Sequence, residues 1–252
     1  MKSDNLQRVA VGDPRTLFIG DLHLSADRPD ITRAFARFLA DEVPGADALY
    51  ILGDLFEAWI GDDDLSPFNL EVAALLHQAS AQAPIFYLHG NRDFLIGPDF
   101  AKRAGITLLP EVEILELYGI PTVILHGDSL CTADLEYQKF RRIRNRPWFR
   151  LLMLSLPLRL RRALARRARA RSKAANASKE MAIMDVTPTA VDHLLNATHA
   201  LRMIHGHTHR PAIHRLPDER QRVVVGDWYL QESVLLVTPD ECKLSSQALP
   251  KI

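Results

Sequence analysis

Residues 16–23 read TLFIGDLH, a β-forming apolar run, Thr16–Ile19, that stops at Gly20-Asp21-Leu22-His23. Such a run ending at a glycine is a strand closing in a turn, and here the turn carries two groups able to bind a metal. The arrangement recurs along the chain. Ala48–Leu52 stops at Gly53-Asp54, Pro84–Leu88 leads into Gly90-Asn91-Arg92-Asp93, Thr122–Leu125 into His126-Gly127-Asp128, and Leu201–Ile204 into His205-Gly206-His207-Thr208-His209. Arg222–Val225 and Ser233–Val237 are further strand candidates. Between the first two strands, Ile31, Ala34, Phe35, Phe38 and Leu39 repeat with the period of a helix that buries one face. The stretch 68–79 repeats that pattern, and Thr187-Pro188 has the form of an N-cap and first helical residue opening a helix through Leu195. Alternating strands and helices predict an α/β fold. In open α/β sheets the ligand site lies beyond the carboxyl ends of the strands, so five distant turns are expected to meet there.

The chain has 252 residues, 47% hydrophobic and 25% charged, which suits one large domain or a core with a modest insertion. Its longest uncharged run, Val72 to Asn91, contains Gln78, Gln82 and Pro84, and no stretch reads as a membrane span. The first fifteen residues lack the apolar centre of a secretory signal. Cys131 and Cys242 are too far apart for a CxxC pair, and a reduced, cytoplasmic compartment is expected. Net charge is zero, yet residues 139–179 hold 15 of the 31 basic residues and none of the 31 acidic ones. From about 134 to 185 the strand pattern gives way to helices: Leu135–Arg144, an apolar run at 151–158, Leu160–Lys173 and Asn176–Met184, with Pro147 and Pro157 as interruptions. The expected organisation is a core of residues 1–133 and 186–252 with a basic, helical insertion at 134–185.

Asp21, His23, Asp54, Asn91, His126, His207 and His209 offer imidazole, carboxylate and amide donors without a thiolate, a set suited to manganese, iron or zinc. They are too many for one ion, and Asp54 is the candidate bridge between two. A metal pair roughly 3.5–4 Å apart is the usual clamp for hydrolysing phosphate esters. A single zinc already lowers the pKa of water from about 15.7 to about 7. The GxSxG, HExxH, GxxxxGK[ST] and GxGxxG patterns are absent, which removes support for acyl-enzyme, zincin, P-loop and dinucleotide chemistry. Asp93 and Asp128 are expected to orient ligands or Arg92. His205 is expected behind the site, His77, His89, His193, His199 and His214 on the surface or in the core, and Asp62, Asp63 and Asp64 suit a structural role as well as a functional one.

The series Asp21-x-His23, Gly53-Asp54, Gly90-Asn91, His126 and Gly206-His207-x-His209 resembles the calcineurin-like metallophosphoesterase superfamily over about residues 16–228. The closer wording FIGDLHLS, ALYILGDLFEAWIGDDD, HGNRDFL, LHGDSLCT, NASKEMAIMDV and IHGHTHRPA is similar to one subfamily, the UDP-2,3-diacylglucosamine diphosphatases of lipid A biosynthesis. The resemblance implies a β-sheet sandwich flanked by helices with a helical insertion or lid. It implies two Mn2+ per chain, one on Asp21, His23, Asp54 and His209, the other on Asp54, Asn91, His126 and His207. Attack of a bridging hydroxide on the α phosphorus would give UMP and 2,3-diacylglucosamine 1-phosphate, with Asn91, Arg92 and His126 catalytic. Substrate contacts would come from Asn91, Arg92, Asp134, Ser172, Asn176, Lys179 and His207. Many relatives in the superfamily carry Gly-Asn-His where this chain has Arg92. A departing phosphate monoester hardly needs a proton but does need its charge neutralised, and a guanidinium suits a diphosphate substrate. Leu151, Leu152, Leu154, Leu156 and Leu158 would line an acyl-chain cleft or touch the bilayer. The expected location is peripheral, on the anionic cytoplasmic face of the inner membrane, with no nucleic acid and no obligate protein partner. Other readings of the same residues are a phosphodiesterase or nuclease on this core, or a metal-free scaffold.

Overall fold

The computed structural model describes residues 13–178, 185–229 and 231–249. Two sheets form its centre. In the first, β1 (Thr16–Ile19), β2 (Ala48–Ile51), β3 (Ile85–Tyr87) and β4 (Thr107–Leu108) run parallel, with β10 (Gln231–Val237) antiparallel beside β1 and β11 (Cys242–Ala248) antiparallel to β10 at the edge. The second is ordered β5 (Val112–Leu117), β6 (Ile120–Leu125), β7 (Arg202–His205), β9 (Gln221–Val224) and β8 (Ala212–Arg215), with β6, β7 and β9 parallel.

Strand alternation decides the layers. Along β1, Leu17 and Ile19 turn to one face and Phe18 to the other; along β2, Leu49 and Ile51 oppose Ala48 and Tyr50. The first set packs under α1 (Pro29–Asp41), α2 (Pro67–Ser80) and α3 (Pro98–Ala104), with Phe35, Phe38, Leu76 and Phe100 buried beneath them. The second set meets Ile124, Ile204 and Val223 of the other sheet in a dry layer between the two. Val123, Leu125 and Met203 face outward and are covered by Val191 and Leu195 of α7 (Pro188–Thr198). Helix, sheet, sheet, helix is therefore the order of layers. Strands buried on both faces explain why the central ones read as continuous apolar runs.

Proline at the first turn opens α1, α2, α3 and α7, where its missing N–H leaves no bond unmade. Thr187 precedes α7 as expected, but its hydroxyl bonds Thr132 Oγ1 at 2.7 Å and gives the helix no side-chain cap. The insertion forms α4 (Leu135–Arg144), α5 (Pro147–Ser155) and α6 (Leu158–Ser178). Continuous α6 replaces the expected break near residues 173–176, because Lys173-Ala174-Ala175-Asn176 contains neither Gly nor Pro to end a helix. The rest of the expected Asn176–Met184 helix, residues 179–184, lies outside the described residues. Among those described, no helix is long and apolar enough to cross a membrane.

Ile51 is fully buried at the end of the strand that carries Asp54. Ile51→Ala is expected to cost about 3 kcal/mol, read as a lower urea midpoint at unchanged m-value.

Candidate metal centre

The five turns after β1, β2, β3, β6 and β7 meet at one rim of the sandwich. Their backbones continue the sheet pairing beyond the strands: Asp21 N–H donates to Gly53 O at 3.1 Å, His23 N–H to Asp54 O at 3.0 Å, and Gly206 N–H to His126 O at 2.9 Å. Asp21, His23, Asp54, His207 and His209 all have φ between 51° and 69°. The left-handed region is unfavourable for side chains with a Cβ, though Asp and His are among the types that tolerate it best. Five such residues at one rim place strained backbone where the chemistry is, held by the sheets beneath.

The turns can approach this closely because of two glycines. A Cβ on Gly53, whose φ is +88°, would lie 2.6 Å from Gly90 N and 2.8 Å from His126 Nδ1; a Cβ on Gly90 would run into the Asp54 carboxylate. Asp93 clamps the same pair of turns. Its Oδ2 accepts Leu55 N–H at 2.7 Å and its Oδ1 accepts Gly90 N–H at 2.9 Å.

The donors fall into two groups on opposite sides of Asp54. On one side, Asp54 Oδ2 lies 4.0 Å from His23 Nε2, which lies 3.9 Å from Asp21 Oδ1 and 3.3 Å from His209 Nε2. On the other, Asp54 Oδ1 lies 3.9 Å from His126 Nε2, with Asn91 Oδ1 at 3.1 Å and His207 Nδ1 at 3.2 Å from that nitrogen. Ligands about 2.1 Å from one ion stand about 3–4 Å apart, which is the size of these separations. Among the described residues, the His, Asp and Glu donors that all lie within 4.8 Å of one another are Asp21, His23 and His209 in one set and Asp21, Asp54 and His126 in the other. Asp21 Oδ2 accepts His207 N–H at 2.6 Å, while its Oδ1 is buried without a hydrogen-bond partner and faces the imidazoles. His126 Nδ1 pairs with Leu52 O at 2.8 Å, which makes it the N–H and turns the Nε2 lone pair into the site. Imidazole, carboxylate and amide donors of this kind, with Asp21, His23, Asp54 and His126 buried and Asn91, His207 and His209 half-buried, fit a divalent metal.

Protonation follows from burial and neighbours. Burial pushes the Asp54 carboxyl up to about 6, against the pull of His126. Burial also raises Asp21, but His209, His126 and His23 hold it well below the usual carboxylate range. Burial and then His126 push His207 down to about 3, leaving a neutral donor at neutral pH. For His126 and His209 burial lowers the value, yet the surrounding aspartates carry both above the ordinary imidazole. A divalent cation would take the place of those protons, so loading becomes more favourable as pH rises.

Residues 14–211 match the calcineurin-like phosphoesterase family. The chain belongs to that family. Proteins named UDP-2,3-diacylglucosamine hydrolase are similar along nearly the whole length: that of Shewanella halifaxensis is 59% identical over 91% of this chain and 97% of its own. That of Shewanella loihica is 57% identical over 92% and 96%, and that of Shewanella oneidensis 59% over 92% and 97%. The structure of an archaeal phosphodiesterase aligns at a TM-score of 0.48 with 12% identity, covering 93% of this chain and 99% of that one.

Around the donors of this calcineurin-like phosphoesterase stand residues that sequence reasoning passed over. Tyr229 stacks on His23 with ring centroids 4.9 Å apart and planes 14° from parallel. Glu57 Oε2 accepts Arg92 Nη1–H at 2.5 Å and the Tyr229 hydroxyl at 3.1 Å, and its Oε1 accepts Arg169 Nη2–H at 2.6 Å. Arg92 Nε lies 3.5 Å from Asp54 Oδ2. Asp128 is turned away from the donors, contrary to expectation. It accepts from the Tyr137 hydroxyl at 2.6 Å, Arg141 Nε at 3.0 Å and Arg144 Nη2 at 2.9 Å, and so secures α4 to the turn that carries His126. Burial would raise it, but Arg144 and His126 keep it well below the usual carboxylate range. In the acidic loop, Asp62 accepts Gly97 N–H and Phe100 N–H at 3.0 Å each at the start of α3, while Asp63 and Asp64 pair with Arg161 and Arg162 of α6.

Of the expected substrate contacts, Asp134 is buried as the N-cap of α4, its Oδ1 accepting Tyr137 N–H at 3.1 Å. Ser172 is half-buried on α6. The Asn176 side chain and Lys179 lie outside the described residues.

Gly53→Ala is expected to weaken divalent metal binding by at least about 10-fold, since it forces apart the turns holding Asp54 and Asn91. Metal titration followed by calorimetry checks this, and an unchanged affinity would refute the close-approach argument.

Proposed function

We propose that the chain hydrolyses the diphosphate of UDP-2,3-diacylglucosamine at the phosphorus nearer uridine, releasing UMP and 2,3-diacylglucosamine 1-phosphate for lipid A synthesis. The observation that carries this reading is the approach of two donor groups to the two oxygens of one carboxylate, Asp54. The relatives' names support the substrate. Asp21, His23, Asp54 and His209 would hold one Mn2+, and Asp54, Asn91, His126 and His207 the other. Two such cations supply an acidified water and polarise phosphoryl oxygens.

The chain's own residues do the rest. Arg92 stands beside Asp54 with a charge that survives any working pH, and it neutralises the lipid phosphate as that phosphate departs. Asn91 and His126 orient the phosphoryl group under attack, and His207 holds a neutral ring against it. The insertion, residues 134–185, would cover the substrate, and the resemblance to the family supports contacts of Asp134, Ser172, Asn176 and Lys179 with the sugar and phosphates.

Acyl chains need an apolar surface, and the insertion exposes one: Leu151 is 71% accessible, Trp148 55%, with Phe140, Ile143, Leu152, Leu154 and Leu160 also exposed. Arg146, Arg159, Arg166, Arg167 and Arg171 stand exposed among them. This combination supports peripheral attachment to the anionic cytoplasmic face of the inner membrane, each arginine near the surface adding about 1 kcal/mol.

Chelation is expected to abolish hydrolysis and Mn2+ to restore it, and turnover in oxygen-18 water should place label in UMP; label in the lipid phosphate would reverse the site of attack. Asp54→Asn should lose more than the roughly 10–100-fold typical of an outer partner, with circular dichroism unchanged. Sedimentation with phosphatidylglycerol vesicles should fall between 50 mM and about 500 mM salt, where the Debye length shrinks to a few ångströms. Equal sedimentation at both salts would remove the electrostatic component.

A further inference from the structure

Glu57 follows Asp54 by three residues and belongs to neither donor group. Its two oxygens serve different parts of the molecule. Oε2 accepts Arg92 Nη1–H at 2.5 Å and lies 3.6 Å from His23 Nδ1, while Oε1 takes Arg169 Nε–H at 2.9 Å and Nη2–H at 2.6 Å. Arg92 belongs to the turn after β3, and Arg169 to the insertion helix α6. One carboxylate thus lies between two guanidinium groups that would otherwise repel. Its contact with Arg169 brings two N–H groups of one guanidinium to a single oxygen, a charge-assisted contact that aims the guanidinium edge at Oε1.

Among the described residues, two other arginines anchor α6 elsewhere. Arg161 binds Asp63 and the Ile60 carbonyl, and Arg162 binds Asp64 at 2.8 Å, all on the outer acidic loop. Arg169 stands eight residues beyond Arg161, about 12 Å along the helix, and reaches Glu57 beside the metal centre. Arg92 in turn depends on few partners: Glu57, the Tyr229 hydroxyl at 3.0 Å, and the approach to Asp54. We infer that Glu57 is a positioning residue that couples docking of the insertion helix to the placement of Arg92 beside the reacting diphosphate. With α6 docked, both carboxylate oxygens are held and Arg92 is aimed. With α6 lifted, Glu57 loses one partner and Arg92 loses its fixed support. The two arginines with one glutamate keep an excess positive charge, which suits an incoming diphosphate. This inference rests on the role given to Arg92 above.

Glu57→Gln and Arg169→Gln, singly and together, test it in the full-length protein. Each single change is expected to lower kcat for UDP-2,3-diacylglucosamine by on the order of 10-fold with a smaller change in KM. The double variant should fall no further than the worse single one, because either change breaks the same link. Losses that multiply would show independent roles and overturn the coupling. Amide hydrogen exchange over residues 163–172 gives a readout that needs no turnover. It should rise to a similar extent in both single variants and no further in the double, and unchanged exchange would also overturn the coupling. If the wild-type protein leaves that lipid nucleotide intact, the function proposed above fails, and the exchange pattern alone decides whether Glu57 joins the helix to the centre.

Discussion

Two chain reversals, one after β2 and one after β3, lie against each other with only hydrogen atoms where side chains would be. Gly53 and Gly90 permit this, and the Asp54 carboxylate occupies the space directly beside them. Larger residues would force the turns apart and disturb the 3.1 Å approach of Asn91 to His126. The arrangement is also strained, since Asp54 and four other donors sit in left-handed backbone at a cost of about 1–2 kcal/mol each. What holds it is the sheet below, whose central strands are buried on both faces, together with Asp93 stitching the two turns through their own N–H groups. A soft scaffold would let the turns relax and lose the site.

The sequence shows the centre of each sheet far better than its edges. Central strands appear as apolar runs because helices or the other sheet cover both faces. The four strands that pattern reading passes over, β4, β5, β8 and β11, are the four outermost ones. β4 is only two residues long, and β5 and β11 carry Glu113, Glu116, Lys243 and Gln247 among their apolar positions. The short α3 also escapes pattern reading, because seven residues give too little period to see. The donors were legible for a different reason: a glycine turn bearing Asp, Asn or His after a buried strand is a local feature, and strand order brings such turns together. Glu57, Tyr229 and Arg169 carry no such mark. Glu57 lies in an acidic loop, Arg169 in a row of arginines, and their meeting depends on how α6 lies across the core.

Charge segregation along the chain has an internal explanation in part. Arg141 and Arg144 are drawn to Asp128, Arg161 to Asp63, Arg162 to Asp64 and Arg169 to Glu57. Arg150 donates to the Ile96 carbonyl at 3.1 Å, and Arg144 stacks over Phe94 at 5.3 Å. The acidic body is thus the counter-surface that holds the basic insertion in register with the rim. Pairs such as Arg162 with Asp64 are exposed and individually weak. Asp128 differs, since it and Arg144 are both buried. Breaking that pair would strand a charge inside the protein, so removing either partner is expected to loosen α4 from the turn that carries His126.

The left-handed backbone at Asp21, His23, Asp54, His207 and His209 affects how the protein should be dissected genetically. A scan that trims each of these positions to alanine removes a donor and, in the same stroke, installs a side chain poorly suited to that conformation. Deep mutational libraries will therefore report losses at these sites that mix coordination with backbone preference. At Asp21 and Asp54 asparagine, isosteric and at ease in that region, alters the donor while sparing the backbone. At all five positions glycine removes the donor without the backbone penalty, so the difference between alanine and glycine isolates the conformational share.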